Sequence, residues 1–393
     1  MEESKLKQFT STLAAGLRQY SMLIALIAVM VFFEISTKYV LLVPQNVSNL
    51  IFQNAYVVIL AVGMLLCILT GGNIDLSVGS VAAFVGALAG QLIIVNKVNV
   101  YIAVVICLAA GILIGMWQGF WIAYVQIPPF IVTLTGMLLF RGLTLVTLNG
   151  LTLSPFPDAF LGMSTGFFGD FFAVPKFNMT CMLVGVLAAV IFIIMQIFSR
   201  IHKVRKGYET GHILGFTVKI IVIPAVIVLI AYTLASYKGI PTVLLILAVI
   251  VLMYAYITNK TVAGRYLYAL GGNQKAARLS GINTKRVFFL AYTNMAFLAA
   301  VAGLVFAARL QSAAPTAGVG FELDAIGACF IGGASAYGGI GTVGGVLIGA
   351  IFMGVLNNGM SIVGIPNGVQ PIVKGLVLLL AVAFDVVSKR KTK

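Results

Sequence analysis

Long apolar stretches separated by short polar segments dominate this chain from residue 20 to residue 387. A helix needs about 20 consecutive apolar residues to cross a bilayer, and stretches of that length recur throughout. The pattern predicts an all-α, polytopic transmembrane bundle of about 12 helices, within a range of 10–12. The predicted spans lie near residues 20–37, 50–70, 77–95, 99–121, 130–148, 180–198, 216–236, 241–258, 287–308, 319–336, 340–363 and 369–387. Two of them, near 130–148 and 319–336, could instead be re-entrant.

The segments between these spans are too short to form a soluble domain. The two longest, 149–179 and 259–286, each contain about 30 residues. We therefore expect one transmembrane domain at 20–387, with a polar segment at 1–19 before it and a basic tail at 388–393 after it. Hydrophobic residues make up 61% of the chain and charged residues 9%, which excludes an ordinary soluble protein.

Positive charge is concentrated in a few places along the chain. The net charge is +15, and most of the lysines and arginines lie near the two termini and in the segments 199–219 and 260–286. An even number of spans places all of these on one side, which the positive-inside rule identifies as the cytoplasm. Both termini, a basic loop at 199–215 and the segment 259–286 are thus predicted to be cytoplasmic, and 149–179 to be an outer loop. This distribution accounts for the charge without a nucleic-acid partner.

Cysteine and histidine give no sign of a metal site or a cofactor. The cysteines lie far apart in apolar runs and are predicted to be buried thiols: Cys67, Cys107, Cys181 and Cys329. His202 and His212 belong to the basic loop at 199–215 and its edge, where we expect no metal ligation.

A polar interruption at residues 69–80 stands between two of the apolar runs. Gly71 and Gly72 predict a tight turn or a broken helix, and Asp75 follows them directly. A carboxylate at this depth faces water, protein or a solute. Both a polar turn between spans and a place on a permeation route remain open. Arg141, within another apolar run, needs a partner for its charge, and Asp75 is the first candidate.

Glycine is dense between residues 332 and 350. Gly341, Gly345 and Gly349 are spaced four apart, which predicts one face of a helix that packs closely against another helix. A phosphate-binding loop is disfavoured, because no Lys-Ser/Thr pair follows these glycines.

The basic segment 259–286 contains a short helix pattern. Asn273 is suited to cap the start of a helix that runs to Ser280, and Gly281 to end it. Lys275 and Arg278 are predicted to face solvent or a partner. The apolar side of this helix is predicted to consist of Ala276, Ala277 and Leu279.

The stretch from Lys275 to Gly281 resembles the Glu-Ala-Ala-x-x-x-Gly coupling loop of ABC importer permeases, with Lys275 in the place of the usual Glu. The stretches 72–80, 129–142, 271–282 and 332–360 are similar to ribose/xylose-type sugar permeases and follow that family's order. The additional spans between 150 and 240 resemble the longer xylose and multiple-monosaccharide permeases. The resemblance implies an ATPase-coupling set of Gly264, Gly271, Asn273, Lys275, Ala276, Ala277, Arg278 and Gly281.

The resemblance also implies a function and partners. The chain would be the permease subunit of an ATP-driven importer for monosaccharides such as xylose, galactose or arabinose, in the bacterial inner membrane. It would not be an enzyme itself, because ATP hydrolysis belongs to separate ABC ATPase subunits. Its other partners would be a periplasmic or lipid-anchored sugar-binding protein, a second permease copy in a homodimer, and membrane lipid.

Sugar hydroxyls are usually bound by amides and carboxylates. The candidates for the substrate path are Asn73, Asp75, Ser77, Thr133, Arg141, Asn357 and Asn358. Glu322 and Asp324 are predicted to form an outer gate, to contact the binding protein, or to cap the helix that starts there. Further polar residues in the spans are Asn54, Gln118 and Asn294, for which bonds between helices are the simpler interpretation.

Three other functions compete with this one. An ABC permease for branched-chain amino acids or another small polar solute has the same motifs. A secondary carrier driven by an ion gradient would leave the segment 264–281 unexplained. An intramembrane enzyme is disfavoured, because no span offers a nucleophile and base, or metal ligands, at helical spacing.

Overall fold

A computed structural model describes residues 21–172, 174–208 and 213–390. The predicted segment 1–19, His212 and the last three residues of the basic tail lie outside the described residues. Within this part the helices are α1 Ser21–Ser36, α2 Pro44–Leu69, α3 Val78–Gly90 (continued by a π-helical turn, Gln91–Val95), α4 Val100–Ala123, α5 Pro129–Leu148, α6 Asp158–Thr165, α7 Met179–Arg205, α8 Ile213–Ala235, α9 Thr242–Lys260, α10 Val262–Gly272, α11 Gln274–Leu279, α12 Thr284–Leu310, α13 Phe321–Ile331, α14 Val343–Val363 and α15 Gln370–Arg390.

The prediction of an all-α membrane protein is confirmed. In the described part, nine helices are long and apolar enough to cross a membrane, and shorter apolar stretches occur at Met22–Ser36 and Gln370–Ala383. α5 is one of the nine, so its length and composition suit a full crossing at 130–148. The number of crossings and the side on which the termini lie remain predictions.

The predicted span at 319–336 is not a full-length helix. α13 has 11 residues and is therefore about 16 Å long, roughly half the thickness of the hydrocarbon core. Gly333, in the left-handed region, follows its end, and the chain continues without a helix through Gly338 and Gly339 to α14. Gly341 lies in this connector, so only Gly345 and Gly349 of the predicted glycine face belong to α14.

α12 is the central helix and packs most extensively against α4, α2 and α3. Its contact with α4 is close because α4 presents glycines at every fourth position. A methyl group at Gly111, Gly115 or Gly119 would lie 2.4, 2.6 or 2.9 Å from an atom of α12. Small residues at such a spacing allow helix backbones to approach closely. α2 is enclosed as well, with residues 54–69 buried apart from Tyr56.

Two of the helices begin in the interior of the bundle. After α2 the chain turns back, so that the backbone N–H of Asp75 reaches the Sδ of Met64 at 3.5 Å before α3 starts. α13 also begins there, and the chain just before it contacts the first turn of α3: a methyl group at Gly79 would lie 2.2 Å from the carbonyl oxygen of Gly318. Non-helical backbone at this depth is tolerated because it is buried in protein.

α7 and α8 form a peripheral hairpin whose main contacts are with each other. They share a small separate core of Cys181, Leu234 and Ala235. All four cysteines of the chain are buried, as predicted.

Candidate functional site

Asp75 and Ser77 lie in a buried hydrogen-bond network at the start of α3. The Oδ1 of Asp75 accepts hydrogen bonds from the N–H of Ser77 at 2.8 Å and from its hydroxyl at 2.6 Å. The Nε2 of Gln118 on α4 donates to the Ser77 hydroxyl at 2.8 Å. Gly136 on α5 makes room for this amide, since a methyl group there would lie 2.6 Å from it. Thr133, one turn earlier on α5, is also fully buried.

Arg141 does not pair with Asp75, and that prediction is wrong. Its Nη1 donates to the carbonyl oxygens of Ala317 at 2.6 Å and Pro315 at 3.3 Å, in the segment between α12 and α13. Arg141 lies five residues beyond Gly136 on α5, and Gly136 faces the Asp75 network. Five residues correspond to about 7.5 Å along a helix, so Arg141 is too far along α5 to lie beside Asp75. The guanidinium therefore holds the segment leading into α13, and Glu322 is the carboxylate that interacts with it electrostatically.

Asp324, one of the two predicted gate residues, is bound on both carboxylate oxygens. Its Oδ1 lies 2.8 Å from the Nζ of Lys374 on α15. Its Oδ2 accepts from the hydroxyl of Tyr56 at 2.7 Å and from the amide of Asn357 at 3.4 Å. Lys374 is not among the residues predicted from the sequence, although a lysine inside an otherwise apolar helix is a usable signal.

Asn358 and Asn54 tie α14 to α2. The Nδ2 of Asn358 donates to Asn46 at 3.2 Å and to Gln53 at 3.1 Å. The Nδ2 of Asn54 donates to the carbonyl oxygen of Ala350 at 2.8 Å. In this structure these amides bind neighbouring helices.

The predicted coupling segment, residues 264–281, has the local geometry that the sequence predicts. Asn273 caps α11, since its Oδ1 accepts from the N–H of Ala276 at 3.0 Å. Gly281 has a φ of +83°, a conformation that favours glycine, and follows the end of the helix. Ala277 is buried, whereas Leu279 is 90% exposed and so does not belong to an apolar side packed against the protein. The exposed residues on this helix include Lys275, Ala276 and Arg278.

Gly264 fixes the corner where α9 meets α10. A methyl group at this position would lie 2.3 Å from the carbonyl oxygen of Thr258. Thr261 caps α10, because its Oγ1 accepts from the N–H of Gly264 at 3.3 Å. The corner therefore sets the direction in which α10 carries α11 away from α9.

A cavity of about 420 Å³ lies between the end of α2, the start of α5 and the coupling segment. Asn73 lines it together with Gly271 and Asn273, and Lys285 of α12 lies at its edge. The structure thus groups Asn73 with the coupling residues and separates it from Asp75, which is buried in the network at the start of α3.

The described residues contain no group of three or more His, Cys, Asp or Glu side chains that could hold a metal ion. His202 lies exposed in the last turn of α7. The interior polar groups described above bond neighbouring helices, whereas the charged groups of α11 are exposed.

Comparison with known proteins gives consistent matches over most of the chain. The family model described as branched-chain amino acid transport system, permease component, matches residues 46–382. The xylose transport system permease protein XylH of Haemophilus influenzae is 37% identical, over 96% of this chain and 98% of its own. XylH of Escherichia coli is also 37% identical, over 98% and 95%. The ribose import permease protein RbsC of E. coli is 37% identical, over 87% and 85%. No solved structure gives a significant match.

Proposed function

Because the chain belongs to the family of branched-chain amino acid transport system permease components, we propose that it is the permease subunit of an ABC importer for xylose or a closely related monosaccharide. The observation that carries this proposal is the similarity to the xylose permeases, which extends over almost the full length of both chains. The peripheral hairpin of α7 and α8 lies inside the matched region. The chain acts in the bacterial inner membrane, and ATP hydrolysis takes place on a separate subunit.

The ATPase subunit docks on α11. This helix is short, capped by Asn273 and ended by Gly281, so it is held as a rigid projection. It presents an exposed leucine, Leu279, beside the positive charges of Lys275 and Arg278. Such a surface suits a groove with an apolar floor and an acidic rim.

The sugar path runs between two copies of the chain. Within one copy, Asp75, Ser77, Asp324 and Asn358 are engaged with neighbouring side chains and backbone. An interior route in a single chain would have to break several of these bonds, and each buried polar group left without a partner costs about 1–3 kcal/mol. A second copy, forming a homodimer, encloses a path without that cost. A periplasmic or lipid-anchored binding protein then supplies selectivity, so the path itself needs only weak affinity.

Alternating access uses the two helices that begin inside the bundle. The first turn of α3 meets the segment that leads into α13, where Gly79 contacts Gly318. Arg141 and Asp324 fix the two ends of the segment that contains this contact. A small rotation of these short helices changes the packing at the contact without unfolding a full-length span.

The test is uptake of labelled xylose into proteoliposomes. The vesicles contain this chain alone, with its ATPase, or with its ATPase and binding protein. ATP-dependent uptake only with the full set, and not with an ATPase inactivated at its Walker lysine, supports the proposal. Competition by excess leucine would identify an amino-acid permease instead. Uptake by the chain alone, driven by an ion gradient, would identify a secondary carrier and overturn the proposal.

A further inference from the structure

Three pairs of glycines from distant parts of the chain meet where α10 ends. Gly71-Gly72 follows α2, Gly271-Gly272 ends α10, and Gly338-Gly339 lies in the connector between α13 and α14. The N–H of Gly339 donates to the carbonyl oxygen of Leu69 at 3.2 Å, which joins the connector to the end of α2. We call this meeting point the glycine joint.

The backbones in the glycine joint touch, so that side chains do not fit between them. A methyl group at Gly271 would lie 1.9 Å from the carbonyl oxygen of Leu69 and 2.3 Å from the nitrogen of Gly339. One at Gly338 would lie 2.4 Å from the Cα of Gly71. Gly271 is required for space and not for conformation, because it belongs to the last turn of α10.

A side chain adds a second connection between α10 and the connector. The hydroxyl of Tyr268, one turn before Gly271, donates to the carbonyl oxygen of Gly341 at 2.7 Å. α10 therefore contacts the connector at two points, Gly339 and Gly341.

Each of the three chain segments leads to a different part of the transport machinery. Gly71-Gly72 leads to Asp75 and Ser77 and so to the start of α3. Gly338-Gly339 links α13 to α14. Gly271-Gly272 leads directly to Asn273, the cap of α11. The glycine joint is therefore adjacent in the chain to α11 and to the segments that lead to α3 and α14.

The glycine joint also has room to move. The cavity of about 420 Å³ borders it and is lined by Gly71, Gly271, Gly272 and Asn273. Gly272 faces open space, since a methyl group there would have no neighbour within 4 Å. The joint is tight on the side of α2 and the connector and open on the side of the cavity. A shift of α10 into the cavity would meet no packed side chain at Gly272.

We propose that the glycine joint transmits the displacement of α11 by the ATPase to α3 and α13, and that Gly271 is the positioning residue that keeps the backbones in contact. This proposal rests on the proposed function. It goes beyond it by naming the contact through which docking and access are linked.

Gly271 and Gly272 provide a matched pair of variants. Gly271→Ala separates the backbones, and Gly272→Ala adds the same methyl group on the open side. In the full complex with ATPase and binding protein, we expect Gly272→Ala to retain uptake. We expect Gly271→Ala to lose roughly tenfold in sugar transported per ATP hydrolysed, a factor typical of coupling between sites.

Tyr268→Phe tests the same proposal without adding bulk. It removes the hydroxyl that binds the carbonyl oxygen of Gly341, and we expect a lower ratio of sugar to ATP in a complex that still assembles. If the complex with Gly271→Ala does not assemble, the ratio of sugar to ATP measured for Tyr268→Phe tests the proposal. The proposal is overturned if Gly271→Ala matches Gly272→Ala, or if Tyr268→Phe keeps the wild-type ratio. Failure of the proposed function is distinct, because the wild-type complex would then show no ATP-dependent uptake.

Discussion

The Oδ1 of Asp324 and the Nζ of Lys374 lie 2.8 Å apart and join α13 to α15. The Asp324 side chain is 2% exposed and the Lys374 side chain 17%, so this ion pair is largely removed from solvent. α15 packs on the bundle mainly through α13. The ion pair is therefore a principal attachment of the last helix to the helix that begins inside the bundle.

Lys374→Met should destabilise the protein by about 3–5 kcal/mol, because it leaves the buried carboxylate of Asp324 without its counter-charge. The measurement is unfolding of the detergent-solubilised protein by heat or denaturant. Lys260→Met, at an exposed position in the last turn of α9, is the control and should have little effect.

The double variant Asp324→Asn with Lys374→Met should be more stable than Lys374→Met alone, since it leaves no unpaired charge. If the changes in unfolding free energy of the two single variants add up to that of the double variant, the two side chains do not interact, contrary to this prediction.

Ser77→Ala should destabilise by about 1–3 kcal/mol, because it leaves the amide of Gln118 and one lone pair of Asp75 without partners in a buried site. Ser80→Ala is a matched control one turn along α3. The Ser80 hydroxyl is buried without a hydrogen-bond partner, so its removal should be neutral or stabilising. Unfolding midpoints of the two variants give the comparison, and equal losses would contradict the network described for Ser77.

Leu279→Ala should leave the free energy of unfolding within about 0.5 kcal/mol of wild type, because the side chain is 90% exposed. It should weaken binding of the ATPase by about 1–2 kcal/mol if α11 is the docking surface. Titration of the solubilised permease with the ATPase measures this. Leu151→Ala, at a residue 67% exposed in the predicted outer loop, should leave the affinity unchanged. An unaltered affinity for the Leu279 variant would place the docking surface elsewhere.

The segment between α6 and α7 should lose stability in acid through Asp170. Desolvation raises the pKa of the Asp170 carboxyl, but hydrogen bonds from Thr180, Phe172 and Val174 outweigh it and hold the pKa well below its ordinary value. Since the folded-state pKa is the lower one, this stabilisation is present above the unfolded-state pKa of about 4. It is lost as the pH falls from there towards the folded-state pKa.

Hydrogen exchange of the Phe172, Val174 and Thr180 amides tests this effect. Asp170→Asn should lower their protection factors at pH 7, and the difference from wild type should shrink below about pH 4. Asp158→Asn, at an exposed residue in the first turn of α6, should change none of them. A difference between Asp170→Asn and wild type that is independent of pH would argue against the carboxylate.

Local features such as helix caps and breaks were predictable where the interacting residues are neighbours in sequence. The cap of α11 by Asn273 and its end at Gly281 were both predicted, because a capping side chain bonds an amide three residues away. The break after α2 was predicted for the same reason. It follows from Gly71 and Gly72, which have φ values of +124° and +76°.

Contacts between distant segments were not predictable in this way. Arg141 was assigned to Asp75 because both are charges in apolar surroundings, but the sequence gives no register between α5 and the start of α3. Asn357 and Asn358 are adjacent, yet one bonds Asp324 and the other Asn46, since successive residues point about 100° apart on a helix.

The sequence by itself determined the membrane class, most of the helices and the short capped helix α11, because hydrophobic length, capping and glycine conformation are properties of neighbouring residues. Only the tertiary structure decided that α13 is half a span, that Asp324 is neutralised by Lys374, and that Gly271 touches Leu69 and Gly339. The physical reason is that ion pairs and close backbone contacts depend on distances between helices. Those distances are set by the packing of the whole bundle and not by any one segment of it.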